Sequence, residues 1–345
     1  MPERDPGGRA PLRVLHRGGD RVRVEAVDYH TAGEPFRIVT GGAPPLEGDT
    51  ILDKRRFAAE RLDAVRRLLV LEPRGHADMY GCFVTEPEDG GADLGVVFFH
   101  NAGYSTACGH GTIALVTWAL DTGLVAAEEP ETQVVVDVPS GRLDTVARVE
   151  GGKVRSVRFR NVPSFVLAER LLAEGLRVDV AFGGAFYASV ASPLSVEPRN
   201  VPELIRLGRA VKHALEAQRT FVHPQEPALR DVYGVIFWER VDFGPPLRQR
   251  NATVFADGQV DRSPCGSGTS ARLALLHRSG ELPGGEELVH ESVIGTEFRA
   301  WVVGEAEVAG RPAVVTEVEG SAHRTGAHEF VLDPDDPLRE GFELR

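Results

Sequence analysis

Two short segments of the chain share one cysteine motif. They read CGHGTIA from Cys108 and CGSGTSA from Cys265, and both match the pattern C-G-x-G-T-x-A. Each follows a predicted strand and turn, begins a predicted helix, and reaches a glycine at the same interval, Gly123 in the first and Gly280 in the second. The cysteines are separated by about half of the chain. Such an internal repeat predicts two related halves, each presenting one thiol at a helix start.

A thiol at a helix N-terminus lies at the positive end of the helix dipole, beside unpaired backbone N–H groups. This environment can lower a cysteine pKa from about 8.5 toward neutrality. The same N–H groups, flanked by glycines, make a binding site for a carboxylate. If the two halves face each other, one thiolate could remove a proton from one face of a carbon while the opposite thiol delivers a proton to the other. That chemistry is cofactor-free racemisation or epimerisation of an α-amino or α-imino acid.

Other interpretations of these cysteines are weaker. Purely structural thiols would not require cysteine in both copies of the motif. A metal site is disfavoured because Cys108 and His110 have a poor ligand spacing and the chain has no C-x-x-C. No local protease signature surrounds either cysteine, and neither motif completes the dinucleotide pattern G-x-G-x-x-G. A disulfide between Cys108 and Cys265 would be a side reaction of a close pair. Cys82 is interpreted as a small buried hydrophobic residue.

Two carboxyl groups near these motifs have structural alternatives. Asp261 precedes Cys265 by four residues, and it either forms the turn or N-cap before the helix or binds a substrate ammonium or imino nitrogen. Glu34 follows Gly33 and precedes Pro35, and we expect it to hold that turn between two strands.

Composition excludes several classes of protein. The chain has 345 residues with a formal net charge of −12, which argues against a general nucleic-acid or anionic-membrane surface. The chain lacks the run of about 18 apolar residues that a membrane-spanning helix needs, and the first residues lack the apolar core of a secretory signal. Three cysteines cannot form a disulfide framework, and an odd number fits a reducing cytoplasm. We therefore expect a cytoplasmic enzyme.

The hydrophobic periodicity predicts the elements that position the two motifs. Residues 1–20 are rich in Arg, Gly and Pro and are predicted to be a flexible leader. The helix that begins at the first motif should be buried, because residues 113–120 are apolar on nearly all sides. The remaining predictions are surface helices over 52–69 and 202–216, and strands over 22–27, 94–99, 133–162, 178–190 and 251–255.

Five segments resemble the proline racemase family. They are DYHTAGEP at 28–35, YSTACGH at 104–110, VPSF at 162–165, FGGAF at 182–186 and DRSPCGSGT at 261–269. The resemblance implies an α/β (α+β) fold of two similar lobes, shared with diaminopimelate epimerase. Each lobe is then a mostly antiparallel sheet around a central helix, with the active site in the cleft between them. The expected lobes are 21–160 with about 325–345, and 161–324.

The resemblance also implies roles for individual residues. Cys108 and Cys265 would be the two acid–base thiols. Backbone N–H groups would bind the carboxylate, those of Gly109 and His110 on one side and those of Gly266 and Ser267 on the other. Asp261 would meet the ring nitrogen. Neither a cofactor nor a metal is expected.

Members of this family divide into proline racemases, 4-hydroxyproline 2-epimerases and trans-3-hydroxy-L-proline dehydratases. The dehydratases resemble this chain in EPRGHADMYG at 72–81 and DDPLREGF at 335–342, but they carry Thr where Cys265 stands. Many 4-hydroxyproline epimerases have a His before the strand that begins near Asn251, and this chain has none at 243–250.

We therefore predict an isomerase that racemises or 2-epimerises proline or a hydroxyproline. A dehydratase (a lyase) and a non-catalytic imino-acid-binding protein are the alternatives. The only partner expected is the small substrate, with neither nucleic acid nor membrane, and a homodimer is the common default for such enzymes.

Overall fold

The computed structural model describes residues 22–242, 244–333 and 335–344, so the predicted leader 1–20 lies outside the described residues. Five helices occur in this part of the chain, together with a short 3₁₀ helix at Pro198–Asn200. The helices are α1 Ile51–Arg61, α2 Asp63–Val70, α3 Gly109–Asp121, α4 Val201–Gln218 and α5 Gly266–Ser279. Among them, no helix is both long enough and apolar enough to cross a bilayer.

The same described ranges contain eighteen strands, which dominate the structure. They are β1 Val22–Thr31, β2 Glu34–Gly41, β3 Tyr80–Thr85, β4 Leu94–His100, β5 Gly103–Tyr104, β6 Glu131–Val138, β7 Gly141–Glu150, β8 Lys153–Arg160, β9 Ser164–Ala173, β10 Leu176–Phe182, β11 Phe186–Ala191, β12 Val232–Asp242, β13 Leu247–Phe255, β14 Gln259–Asp261, β15 Glu287–Ser292, β16 Glu297–Val308, β17 Arg311–Gly320 and β18 Ala322–Leu332.

The strand pairing of the first half is repeated in the second. The order β1-β2-β3-β4-β6-β7-β8 has parallel pairs at β2–β3 and β4–β6, and its other neighbours are antiparallel. The order β10-β11-β12-β13-β15-β16-β17 has parallel pairs at the matching places, β11–β12 and β13–β15. Parallel neighbours need crossover connections. Helices α3 and α5 are the crossovers of the second parallel pair in each half, so the two cysteine motifs occupy equivalent positions.

All the described strands nevertheless belong to one hydrogen-bonded network. Strand β17 pairs with β8 through one end and with β9 through the other. Because β9 also pairs with β10, the strands of the second half close into a ring. Strand β18 returns to pair with β1 along its whole length. The expected mixed α/β class is therefore confirmed, and the hydrogen bonding of the described strands forms one continuous, barrel-like sheet.

The two motif helices are surrounded by these strands. Every residue of α3 except Asp121 is buried, and α5 is buried through Leu276. This burial confirms the prediction from the apolar run after the first motif. Both helices end near a glycine in a left-handed conformation: Gly123 follows the C-cap of α3 with φ +72°, and Gly280 is the C-cap of α5 with φ +75°.

The predicted surface helix over 52–69 is divided in two. Leu62 has φ −118° and ψ 8°, its N–H donates to the Ala58 carbonyl, and its side chain is buried. Both α1 and α2 bury apolar residues in the same core. Thr50 and Asp53 form a capping box at the start of α1. The predicted helix over 202–216 is confirmed as α4.

Candidate active site

Helices α3 and α5 meet at their N-termini through two glycines. A Cβ atom added to Gly109 would lie 2.6 Å from the Cα of Gly266, and one added to Gly266 would lie 2.7 Å from the Cα of Gly109. Real Cβ atoms do not approach a backbone carbon so closely. The glycine after each cysteine is therefore what allows the two helix ends, and with them the two thiols, to come together.

The second glycine of each motif leaves room for the thiol. A Cβ on Gly111 would lie 2.7 Å from the Cys108 sulfur, and one on Gly268 would lie 2.9 Å from the Cys265 sulfur. The repeated C-G-x-G pattern thus has a steric explanation. Its first glycine sets the distance between the helices, and its second lets the sulfur lie over the first helical turn.

Both thiols are N-cap residues, but their backbones differ. Cys108 is extended, and its sulfur accepts a hydrogen bond from the Gly111 N–H at 3.3 Å. Cys265 has φ +63° and ψ 97°, a left-handed conformation that is uncommon for a residue with a side chain. Its thiol lies 3.7 Å from the Tyr187 hydroxyl oxygen. The two sulfurs therefore reach the site by different backbone paths.

One small cavity is shared by both thiols. Its empty space, open solvent included, is only about 250 Å³, so the cavity suits only a small ligand. The lining residues are Tyr80, Ala107, Cys108, Gly109, His110, Tyr187, Tyr233, Phe255, Asp261, Cys265, Gly266 and Ser267. Every candidate residue from the sequence, the two cysteines, two glycines, His110, Asp261 and Ser267, is in this set.

Burial raises the pKa of both thiols. For Cys108 the Gly111 N–H opposes this rise, and the negative charges of Asp261 and Glu34 add to it. For Cys265 the carboxylate of Asp261 is the next cause after burial. The lowering of the thiol pKa that is expected at a helix N-terminus is therefore present at Cys108, but desolvation outweighs it. The positive charge of a bound substrate would act in the opposite direction.

Asp261 forms the turn before Cys265 and also lines the cavity. Its Oδ1 accepts hydrogen bonds from the N–H and hydroxyl of Ser263, at 2.8 and 2.7 Å, which forms the turn before Cys265. Its Oδ2 lies 3.9 Å from Nδ1 of His110, and the residue lines the cavity. Burial raises the pKa of Asp261 to about 6. An anionic carboxylate is thus available beside the thiols at neutral pH.

His110 contributes its ring as well as its backbone. Its ring nitrogens lie 3.5 and 3.6 Å from the Cys108 sulfur, and burial lowers its pKa to about 3, so the ring is neutral. Its carbonyl accepts a hydrogen bond from the Thr31 hydroxyl at 2.9 Å. The motif alone predicts a role only for the backbone N–H of this residue.

Glu34 holds a different turn from the one predicted. The side chain is fully buried, and its Oε2 accepts a hydrogen bond from the Arg262 N–H at 2.6 Å. Glu34 therefore stabilises the segment that carries Asp261 in the other half, not its own turn. Burial and the neighbouring Asp261 charge raise its pKa well above the usual value.

The aromatic residues of the cavity were not predicted from the sequence. Tyr80, Tyr187, Tyr233 and Phe255 come from strands β3, β11, β12 and β13, away from the cysteine motifs. The three tyrosine hydroxyls are partnered: Tyr80 bonds the Tyr233 hydroxyl at 2.9 Å and also the Ser105 hydroxyl, and Tyr187 bonds the Ser267 hydroxyl at 2.7 Å. Tyrosines in buried strands are common, so no sequence signal could identify them.

The described residues contain no group of three or more His, Cys, Asp and Glu side chains able to hold a metal ion. Cys82, Cys108 and Cys265 are all free thiols. Cys82 lies in β3, and it packs among hydrophobic residues.

The sequence profile described as Proline racemase matches residues 26–343. This chain belongs to the proline racemase family. A 3-hydroxyproline 2-epimerase of Burkholderia multivorans is 45% identical over 330 residues, which cover 93% of this chain and 98% of that protein. A trans-3-hydroxy-L-proline dehydratase of Bacillus thuringiensis subsp. konkukian is 44% identical over 325 residues, which cover 92% and 97%.

A solved structure within the family is also similar. The crystal structure of a hydroxyproline epimerase from Agrobacterium vitis, with bound trans-4-hydroxy-L-proline, superposes with a TM-score of 0.87 at 33% identity. The match covers 94% of this chain and 96% of that one. The family inferred from the motifs is therefore confirmed, and its relatives include both epimerases and dehydratases.

The contact between the helix ends predicts whether Gly109→Ala stabilises or destabilises the protein. Helix propensity alone favours Ala over Gly by about 1 kcal/mol. We expect Gly109→Ala to lower the free energy of unfolding by about 1–3 kcal/mol instead, because its Cβ would press on the Gly266 backbone. Chemical denaturation measures the difference. The control is Gly90→Ala, where a Cβ meets nothing within 4 Å, and a stabilised Gly109→Ala protein would contradict the packing described.

Proposed function

We propose that this protein is a cofactor-independent racemase or 2-epimerase of proline or a hydroxyproline. The observation that carries the proposal is the presence of two thiols, each the N-cap of a central helix, in one small cavity. Two opposed acid–base groups are what inversion at a carbon requires. Because the thiols supply both proton transfers, the proposed reaction needs neither a metal nor an organic cofactor.

The substrate carboxylate would lie at the two helix N-termini. The backbone N–H groups of Gly109 and His110, and those of Gly266 and Ser267, belong to the first turns of α3 and α5 and have no intrahelical acceptor. Two helix dipoles then favour the same anion. The ring nitrogen, which is cationic, would meet the carboxylate of Asp261. Binding at these two points would place the α-carbon between the sulfurs.

Inversion then takes two proton transfers. One cysteine, as the thiolate, removes the α-proton, and the electron pair of the broken C–H bond remains on the α-carbon. The other cysteine, as the thiol, gives its proton to the opposite face and becomes the thiolate. No electrons leave the substrate, and the two cysteines exchange protonation states in each turnover. Because His110 beside Cys108 is neutral, the substrate nitrogen would not be repelled by a positive charge on this ring.

A dehydratase of trans-3-hydroxy-L-proline is the second candidate. It is favoured by the 44% identity to the Bacillus thuringiensis dehydratase. Elimination needs one base to remove the α-proton, and it does not need a second thiol on the opposite face. Cys265 stands where the resembling dehydratases carry Thr, and it lines the cavity here. The second thiol is therefore the reason for preferring inversion.

The same proposal includes the larger organisation expected from the family. We infer two functional lobes, 21–160 with about 325–345 and 161–324, joined through the continuous sheet, and a site between them. The repeated strand pairing and the return of β18 to β1 support this division. A cytoplasmic location and a homodimer are further parts of the proposal.

The test is a panel of proline, 3-hydroxyproline and 4-hydroxyproline stereoisomers incubated with the protein in heavy water. We expect inversion of at least one substrate, with one deuterium at the α-carbon of early product, because the incoming hydrogen comes from a thiol that exchanges with solvent. Polarimetry and mass spectrometry give both readouts. Retention of the original α-hydrogen would show a single base and contradict the two-thiol reaction, as would formation of a pyrroline product alone.

Cys265 determines the reaction type in this proposal. We expect Cys265→Thr to abolish epimerisation, with a loss of at least about 100-fold in kcat/KM, since general acid–base groups typically contribute 10²–10⁴-fold. The Cys265→Thr protein should still be able to remove water from a 3-hydroxylated substrate, because Cys108 can remove the α-proton. Cys82→Ser, which removes a thiol outside the cavity, is the matched control. Wild-type epimerisation by Cys265→Thr would exclude the role assigned to this thiol.

The pKa of Asp261 predicts the acid side of the pH profile. Its raised value of about 6 means that the side chain becomes protonated as the pH falls through this region, so it can no longer pair with the cationic nitrogen. We expect KM to rise below about pH 6 while kcat changes less. Asp261→Asn should raise KM and remove this pH dependence, as measured by initial rates from pH 5 to 8. An unchanged KM profile in Asp261→Asn would show that Asp261 does not bind the nitrogen.

A further inference from the structure

An open cleft lies next to the catalytic cavity, and Tyr233 lines both of them. The two thiols are each only 5% exposed, so a substrate needs a route to them. One wall of the cleft comes from the first half, with Arg55 of α1 and residues 104–106. The other wall comes from the second half, with Lys212 and Glu216 of α4 and residues 228–233. The cleft therefore opens between the same two halves that contribute the thiols.

Three hydroxyl groups form the boundary between the cleft and the cavity. Tyr80 lines the cavity, Ser105 lines the cleft, and Tyr233 lines both. The Tyr80 hydroxyl is hydrogen-bonded to the hydroxyls of both Ser105 and Tyr233. At this boundary the two spaces are thus separated by hydrogen-bonded side chains.

Two cations of the cleft have no ion-pair partner among the described residues. Lys212 donates to the Ala256 carbonyl at 2.7 Å, and Arg55 donates to the Tyr104 carbonyl at 2.6 Å. The Nε of Arg55 is buried and has no hydrogen-bond acceptor in the part of the chain that the structure describes. Burial lowers the pKa of both side chains. Partly buried cations without a direct ion pair are unfavourable, and a small anion in the cleft would relieve this cost.

We propose that this cleft is the entrance to the catalytic cavity, in which Arg55 and Lys212 attract the carboxylate of the incoming substrate before it passes Tyr233. That the incoming carboxylate belongs to an amino acid rests on the proposed function. The attraction of small carboxylates into the cleft is independent of it. Glu216, four residues after Lys212 on α4, opposes the attraction. Asp231 lines the cleft as well, and Asp257 is a further negative charge near Lys212. Attraction of this kind raises association rates and is weakened by salt.

The test compares the rates at which iodoacetate and iodoacetamide alkylate Cys108 and Cys265, followed by peptide mass spectrometry. With both reagents the thiolate sulfur bonds to the CH₂ carbon and iodide leaves, so the products differ only in the charge of the added group. The ratio of the two rates therefore reports attraction of a carboxylate, and it requires no turnover. Anion binding at the helix ends contributes equally in every variant.

We expect Lys212→Met and Arg55→Met each to lower the iodoacetate-to-iodoacetamide ratio by about 3- to 10-fold at low salt. Glu216→Gln, an exposed position in the same cleft, should raise the ratio. The matched control is Arg206→Met, which removes an exposed cation of α4 that is paired with Glu203 at 2.6 Å and should leave the ratio unchanged. At 0.5 M salt the differences between variants should shrink toward zero.

The possible results test the entrance proposal separately from the proposed function. Unchanged ratios in Lys212→Met, Arg55→Met and Glu216→Gln would overturn the entrance, even if the protein inverts a substrate. Failure of the native thiols to react with either reagent, when the unfolded protein reacts, would overturn it too. If the ratios shift as expected and no substrate is inverted, the entrance stands and the proposed function is wrong. Should Arg55→Met fail to fold, the opposite shifts of Lys212→Met and Glu216→Gln decide.

Discussion

The contact between Gly109 and Gly266 is the constraint on which the arrangement of this site depends. Two helix N-termini carry like partial charges and rows of unpaired N–H groups, so they gain nothing by meeting each other. They can be held together only by the strands around them and by the absence of side chains at the point of contact. The result is one cavity that both thiols and both helix N-termini line.

The surrounding sheet holds the two helix N-termini in contact. Helices α3 and α5 are crossovers in equivalent positions of two repeated strand orders, and both are enclosed by buried strands. Strand β17 ties the two orders into one network. Polar contacts then align the halves at the site itself, where Glu34 accepts the Arg262 N–H and Asp78 pairs with Arg262 at 2.9 Å. Residues of the first half thereby position Asp261 of the second.

Desolvation governs the chemistry of the enclosed cavity. It raises the pKa of the thiols and of Asp261, and it keeps His110 neutral. A helix N-terminus shifts a thiol pKa in the opposite direction, but burial is the larger effect at Cys108. In the proposed function, the cationic nitrogen of a bound zwitterion would oppose the effect of burial on the thiols. This dependence suits proton transfer that begins only after binding.

The sequence by itself determined the family, the two cysteines, the glycines beside them and the burial of the helix that follows the first motif. These features depend on local patterns: a repeated seven-residue frame, apolar periodicity and glycines at turns. The position of Asp261 was also local, because it belongs to the turn before Cys265. Two expectations that used only local reasoning were incomplete, namely the single helix over 52–69 and the pairing of Glu34 with its own turn.

Only the tertiary structure decided which distant residues share the cavity. Tyr80, Tyr187 and Tyr233 lie on three strands whose sequence gives no sign of a common neighbour, because their convergence follows from strand pairing and register. The direction of the thiol pKa shifts was likewise a tertiary property, since it depends on how much protein covers each sulfur. Local sequence fixes which groups are available and how a helix begins, whereas burial and contact between the two halves arise from residues far apart along the chain.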